Sequence, residues 1–252
     1  MTFPLLCGLL LPFFGTALGA ACVLFMKNEP SKSLRRLLTG FAAGVMTAAS
    51  VWSLLLPAIE RSEGLGKFAF LPGALGLWMG IGLLWAGEKC LPLLKKNQTD
   101  GPLARIRKTV LAITLHNLPE GMAVGVALAE FCAGGAEAGA AVALAVGIAI
   151  QNFPEGAVVS LPLQSAGKGK GKSFLAGVLS GVVEPLGAGL ALVGASVAGP
   201  VLPLILGLAA GAMLYAVVEE LIPDLSRAGD GWGAAFFGAG FTLMMGLDVA
   251  LG

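Results

Sequence analysis

VLAITLHNLPEGMAVGVALAEF, residues 110–131, is long and apolar enough to cross a bilayer, yet it carries a proline and a glutamate near its middle. GAAVALAVGIAIQNFPEGAVVSL, residues 139–161, repeats the pattern, so that Asn117-Leu118-Pro119-Glu120-Gly121 is followed by Asn152-Phe153-Pro154-Glu155-Gly156. An acidic side chain at the centre of a spanning helix costs roughly 2.5 to 3.5 kcal/mol. Two such groups in matching contexts require a partner, and a cation is the natural one.

The rest of the chain shares this apolar character. Only 12% of its residues are charged, mean hydropathy is +0.86, and apolar runs extend from Pro4 to Met26, Leu37 to Leu56, Phe70 to Ala86, Val110 to Phe131, Gly139 to Leu161, Phe174 to Val197, Val201 to Val218 and Trp232 to Leu251. This predicts an all-α polytopic membrane protein of eight helices of about twenty residues each, forming a single transmembrane domain over residues 1–252. The charge pattern suggests no nucleic-acid partner. Cys7, Cys22, Cys90 and Cys132 are scattered singly, which indicates neither a thiolate metal site nor a disulfide framework. No Lys or Arg precedes Lys27, so the first run is expected to stay as a span, although Ala17 to Ala21 faintly resembles a cleavage site.

Basic residues gather in alternate loops: Lys27, Lys32, Arg35 and Arg36; then Lys89, Lys95, Lys96, Arg105, Arg107 and Lys108; then Lys168, Lys170 and Lys172. The loops between them hold only Arg61 and Lys67. The positive-inside rule therefore places both termini outside the cytoplasm, in a plasma-membrane protein. Gly171-Lys172-Ser173 ends like a phosphate-binding loop, but Ala166 stands where the first glycine is needed. Gly40 with Gly44, Gly177 with Gly181 and Gly207 with Gly211 have the spacing of closely packed membrane helices. The shared motif in two spans of opposite expected orientation hints at an inverted-repeat bundle.

His116 and Glu120 are four apart, as are Gln151 and Glu155, so each pair lies on one helix face. Asn117 and Asn152 stand three before the same glutamates, and six candidate ligands converge if the two helices adjoin. Pro119 and Pro154 cannot donate to the carbonyls of Leu115 and Ile150, while Gly121 and Gly156 permit a deformed turn and close approach. Glu184, directly before Pro185, adds a third carboxylate. Glu219, Glu220 and Asp224 end the seventh run, and Asp248 is expected at the outer interface. A donor set of imidazole, carboxylates and amides suits Zn2+, Fe2+, Mn2+, Co2+ or Cd2+ as transported substrate, with no cofactor acting as catalyst. If Glu120 and Glu155 both bridge, two ions could sit about 3.5 to 4 Å apart.

His116 to Gly121, followed by Gln151 to Gly156, resembles the paired signature of the ZIP (Zrt/Irt-like) divalent metal transporters, with the prokaryotic GufA-like branch most similar. The likeness extends to the eight-span layout, Glu184-Pro185 and Glu219-Glu220-Leu221-Ile222-Pro223. It implies one central site of His116, Glu120, Gln151 and Glu155, a second in which Asn117, Asn152 and Glu184 join the shared glutamates, and an inner exit site at Glu219 and Glu220. It further implies a homodimer, and spans one, four, five and six moving against the others. Asn152 stands where some members have Asp, and the loop from Lys89 to Lys108 lacks the histidines of many eukaryotic members.

The expected function is uptake of a divalent transition metal ion into the cytoplasm, not enzymatic turnover. Because ligands must shed protons to bind metal, uptake should weaken in acid. A water or solute channel is the first alternative, since paired Asn-X-Pro motifs suit half-helix ends, but the glutamates would bind cations. An intramembrane metallohydrolase is the second, although no His-Glu-X-X-His exists and the carboxylates are needed as ligands.

Overall fold

The computed structural model describes residues 2–26, 31–93, 102–134, 138–197, 201–226 and 231–251. Every regular element among them is helical. The long helices are α1 (Thr2–Phe25), α2 (Lys32–Ala49), α4 (Phe70–Leu93), α5 (Pro102–Cys132), α6 (Ala138–Ser165), α7 (Lys170–Gly181), α8 (Val183–Val197), α9 (Leu202–Ala216) and α11 (Trp232–Leu251). The short α3 (Leu56–Glu60) and α10 (Ile222–Ser226) continue α2 and α9. Among the described residues, seven helical segments are long and apolar enough to cross a membrane. The expected span from Val110 to Phe131 lies within α5, outside those seven; α5 itself has 31 residues, about 46 Å of helix at 1.5 Å per residue.

The most extensive helix contacts are made in a few pairs, which fall into two groups according to whether they carry the expected site residues. α1 packs on α6 and α7, and α5 on α8, forming a site-bearing set; α2 packs on α11, and α4 on α9, forming a flanking set. Small residues make this possible, since in lipid the association of helices depends on fit rather than on apolar burial. A Cβ at Gly15 or Gly19 would strike the α6 backbone, one at Gly44 the α11 backbone, and one at Gly76, Gly80, Gly207 or Gly211 the backbone of the α4–α9 pair. Gly177 and Gly181 meet the side chains of Ala20 and Thr16 of α1, so all three glycine pairs legible in the sequence lie at helix crossings. Between the sets, Gly147 of α6 lies nearest the side chains of Met244 and Val45.

α6 sits at the centre, with 67% of its most apolar window buried, whereas α4 and α11 are 17% buried and present their apolar faces outward. The pairing is unchanged if α1, α2–α3 and α4 are exchanged with α7–α8, α9–α10 and α11, and α5 with α6. The same exchange matches two irregular turns. Ser50–Leu55 and Val217–Leu221 are both π-helical, and each precedes a proline, Pro57 or Pro223. Proline removes a donor and crowds the preceding turn, and the helix widens upstream: Leu56 N–H reaches Val51 O, and Ile222 N–H reaches Val217 O. Pro119 and Pro154 do not have this effect, because α5 and α6 run through them without interruption.

Candidate metal site

Three helices bring the expected acidic and amide groups together in the interior. α5 supplies Asn117 and Glu120, α6 supplies Gln151, Asn152 and Glu155, and α8 supplies Glu184; all six are buried. The glycine after each motif glutamate sets the crossing. Gly121 lies against the backbone of Glu184, and Gly156 against that of Thr16, both closer than any side chain allows. In Pro-Glu-Gly, then, the glutamate provides charge and the glycine provides the approach that brings the next helix to it.

Glu184 stands in the first turn of α8, just past an interruption at Val182 that separates α8 from α7. Pro185 cannot donate to the chain behind it. Asn117 Nδ2 fills part of this gap, donating to Ser180 O at 3.2 Å and to Glu184 Oε1 at 3.0 Å. Thr16 Oγ1 of α1 donates to the same Glu184 oxygen at 2.5 Å. On the other side, Gln151 Nε2 donates to Glu120 Oε1 at 2.5 Å. The face spacing read from the sequence thus joins α5 to α6 through Gln151 and Glu120, and α5 to α8 through Asn117 and Glu184.

These bonds leave acceptors over. Glu184 Oε2, Asn117 Oδ1 and Gln151 Oε1 are buried without a hydrogen-bond partner among the described residues. A buried polar oxygen without a partner costs free energy, so such groups are found where water or a cation completes them. Glu155 and Glu184 both lie near enough to Glu120 for their charges to repel it. No Lys or Arg occurs in α1, α6 or α8, nor in α5 beyond Lys108. A cation from outside the chain is what the arrangement is chemically suited to receive. Among the described residues no three His, Cys, Asp or Glu side chains are drawn together closely enough to hold a metal ion as they stand.

His116 lies in α5 one turn before Glu120, but its side chain is outside the described residues, as is that of Glu220. The same holds for Lys32, Arg35, Cys90, Arg105, Arg107, Lys108 and Asp224, while Lys27, Lys95 and Lys96 lie in undescribed segments. Glu219 is exposed in the π-helical turn at the far end of α9. Asp248 accepts from Ser53 Oγ at 2.9 Å, near the opposite end of the molecule. Sequence reading missed Thr16 and Ser180. Thr16 had a signal, as a hydroxyl between Gly15 and Gly19 in an otherwise apolar run, whereas the Ser180 carbonyl becomes available only through the helix interruption.

The family model described as ZIP zinc transporter matches residues 106–248. The chain is 37% identical to zinc transporter ZIP11 of Xenopus tropicalis over 98% of its own length and 97% of the relative's. It is 41% identical to zinc transporter ZIPB of Bordetella bronchiseptica over 95% of its own length and 79% of the relative's. For zinc transporter GufA of Myxococcus xanthus the identity is 36%, over 94% of each chain.

Proposed function

This chain belongs to the ZIP zinc transporter family, and we propose that it carries divalent transition metal ions, zinc foremost, into the cytoplasm across the plasma membrane. Zinc transporters of this family move their ion without enzymatic turnover, and the transported metal is the substrate here as well. The substrate site is formed by His116, Glu120, Gln151 and Glu155, and a neighbouring site by Asn117, Asn152, Glu184 and the two shared glutamates. The observation that carries this reading is the group of buried oxygens on Glu184, Asn117 and Gln151 that have no hydrogen-bond partner among the described residues and sit among three carboxylates. A divalent ion would satisfy them and relieve the repulsion between the glutamates, and the absence of thiolates favours borderline ions.

Release runs toward Glu219 and Glu220, at the end where Lys170 Nζ donates to Leu24 O. That end bears the basic loops and faces the cytoplasm by the positive-inside rule, which puts both termini on the other side. Transport proceeds by movement of the site-bearing set along the flanking set. What supports this is the packing at particular glycines: Gly15, Gly19, Gly121 and Gly156 lie against neighbouring backbone within the site-bearing set, while Gly147 at the seam meets the side chains of Met244 and Val45.

Liposomes loaded with a metal-sensitive dye test the function directly, with zinc, cadmium, iron(II) or manganese added outside. Wild-type protein should give influx, and Glu120→Ala and Glu155→Ala should each lower it about tenfold or more. Equal influx through the variants would place the site elsewhere. Binding of metal without any influx would overturn transport itself.

A further inference from the structure

The two helix sets meet around a cavity of about 690 Å³, at the end of the molecule away from Glu219. Ser53, Glu60, Arg61 and Asp248 line it from the flanking set, and Glu130 and Leu144 from the site-bearing set. The Arg61 guanidinium forms an ion pair with the Glu130 carboxylate across the boundary between the sets. Glu130 is buried, at the end of α5, and Arg61 caps α3. Asp248 differs, since its partner Ser53 belongs to its own set.

Ala127 and Leu144 also line the cavity; each stands seven residues from a site residue, Glu120 or Gln151, which is about 10 Å along a helix. Val124, Leu128 and Ile148 occupy that depth and are fully buried. The packing is therefore shut between this cavity and the buried carboxylates.

We propose that the Arg61–Glu130 ion pair is a tie between the two sets that holds this mouth shut and must part before a metal ion can pass inward. The inference rests on the reading that the sets move past one another. A guanidinium keeps its charge at any physiological pH, so the tie cannot be released by losing a proton from Arg61. Parting it leaves Glu130 buried without its cation, which is unfavourable. An arriving divalent ion offsets that cost, because it can take the place of Arg61 beside Glu130 in a cavity that Glu60 and Asp248 also line. The tie thus couples opening of the mouth to the presence of a cation in it.

The test measures access to the cavity floor. Leu144→Cys is placed in full-length protein whose native cysteines have been replaced, in nanodiscs, and labelling by a charged thiosulfonate reagent is timed with and without zinc. Arg61→Gln and Glu130→Gln should each speed labelling by a factor of about five or more. The neutral double variant Arg61→Gln/Glu130→Gln should label as fast as either single variant, although it buries no unpaired charge. The reversed pair Arg61→Glu/Glu130→Arg should return labelling toward the wild-type rate. Zinc-dependent labelling that none of these variants alters would overturn the tie alone. Labelling that neither zinc nor any variant alters would overturn the tie together with the moving sets.

Discussion

The hydroxyl of Thr16 and the amide of Asn117 both donate to Oε1 of Glu184, so that oxygen is fixed in place and the other is buried without a hydrogen-bond partner among the described residues. Thr16 is a positioning residue on this reading. Thr16→Val keeps the shape and removes the donor, and a hydrogen bond between membrane helices is worth about 0.6 kcal/mol on average. The Michaelis constant for zinc influx should therefore rise about threefold with little change in the maximal rate. A fall in maximal rate alone, at unchanged Michaelis constant, would show that Thr16 does not orient a ligand. The acidic and amide residues were legible because polar groups in a bilayer-length apolar run have few reasons to be there. Thr16 was hard to find because a lone threonine in such a run commonly bonds its own helix, as Thr47 Oγ1 does to Ala43 O at 2.7 Å.

At the scale of the element, the glycine after the motif glutamate matters as much as the glutamate. A Cβ at residue 156 would press into the Thr16 carbonyl, whereas one at Gly82 meets nothing within 4 Å. Alanine is the better helix former by roughly 0.5 to 1 kcal/mol, which should make Gly82→Ala neutral or slightly stabilising. Gly156→Ala should instead cost about 1 to 3 kcal/mol through forced separation of α1 and α6. Thermal unfolding of the two purified variants checks this, and equal midpoints would contradict the close crossing. The π-helical turns were invisible in the sequence, since Pro57 and Pro223 widen the preceding turn while Pro119 and Pro154 leave α5 and α6 unbroken. Local residue types do not separate these cases, because neighbouring helices determine whether the turn can relax.

On the scale of the whole molecule, the proposed transport requires the seam between the sets to slide. Gly147→Cys paired with Met244→Cys would link α6 to α11 across it, where the two residues touch. Ala20→Cys with Gly177→Cys would link α1 to α7 inside the site-bearing set, also in contact. Oxidation should abolish zinc influx in the first pair and spare it in the second, with reduction restoring the first; full influx through the oxidised seam pair would refute sliding. Composition and apolar run length were sufficient to establish an all-α membrane protein, because the bilayer leaves few ways to satisfy a backbone. Side-chain spacing on α5 and α6 was sufficient to nominate Asn117, Glu120, Gln151, Asn152 and Glu155, because helical periodicity is a local property. The family resemblance already implied the division into two sets, whereas only the tertiary structure could bring Thr16 to Glu184 and set Arg61 against Glu130. Each of those depends on which helices cross and at what depth, and that is settled by contacts between residues far apart in the chain.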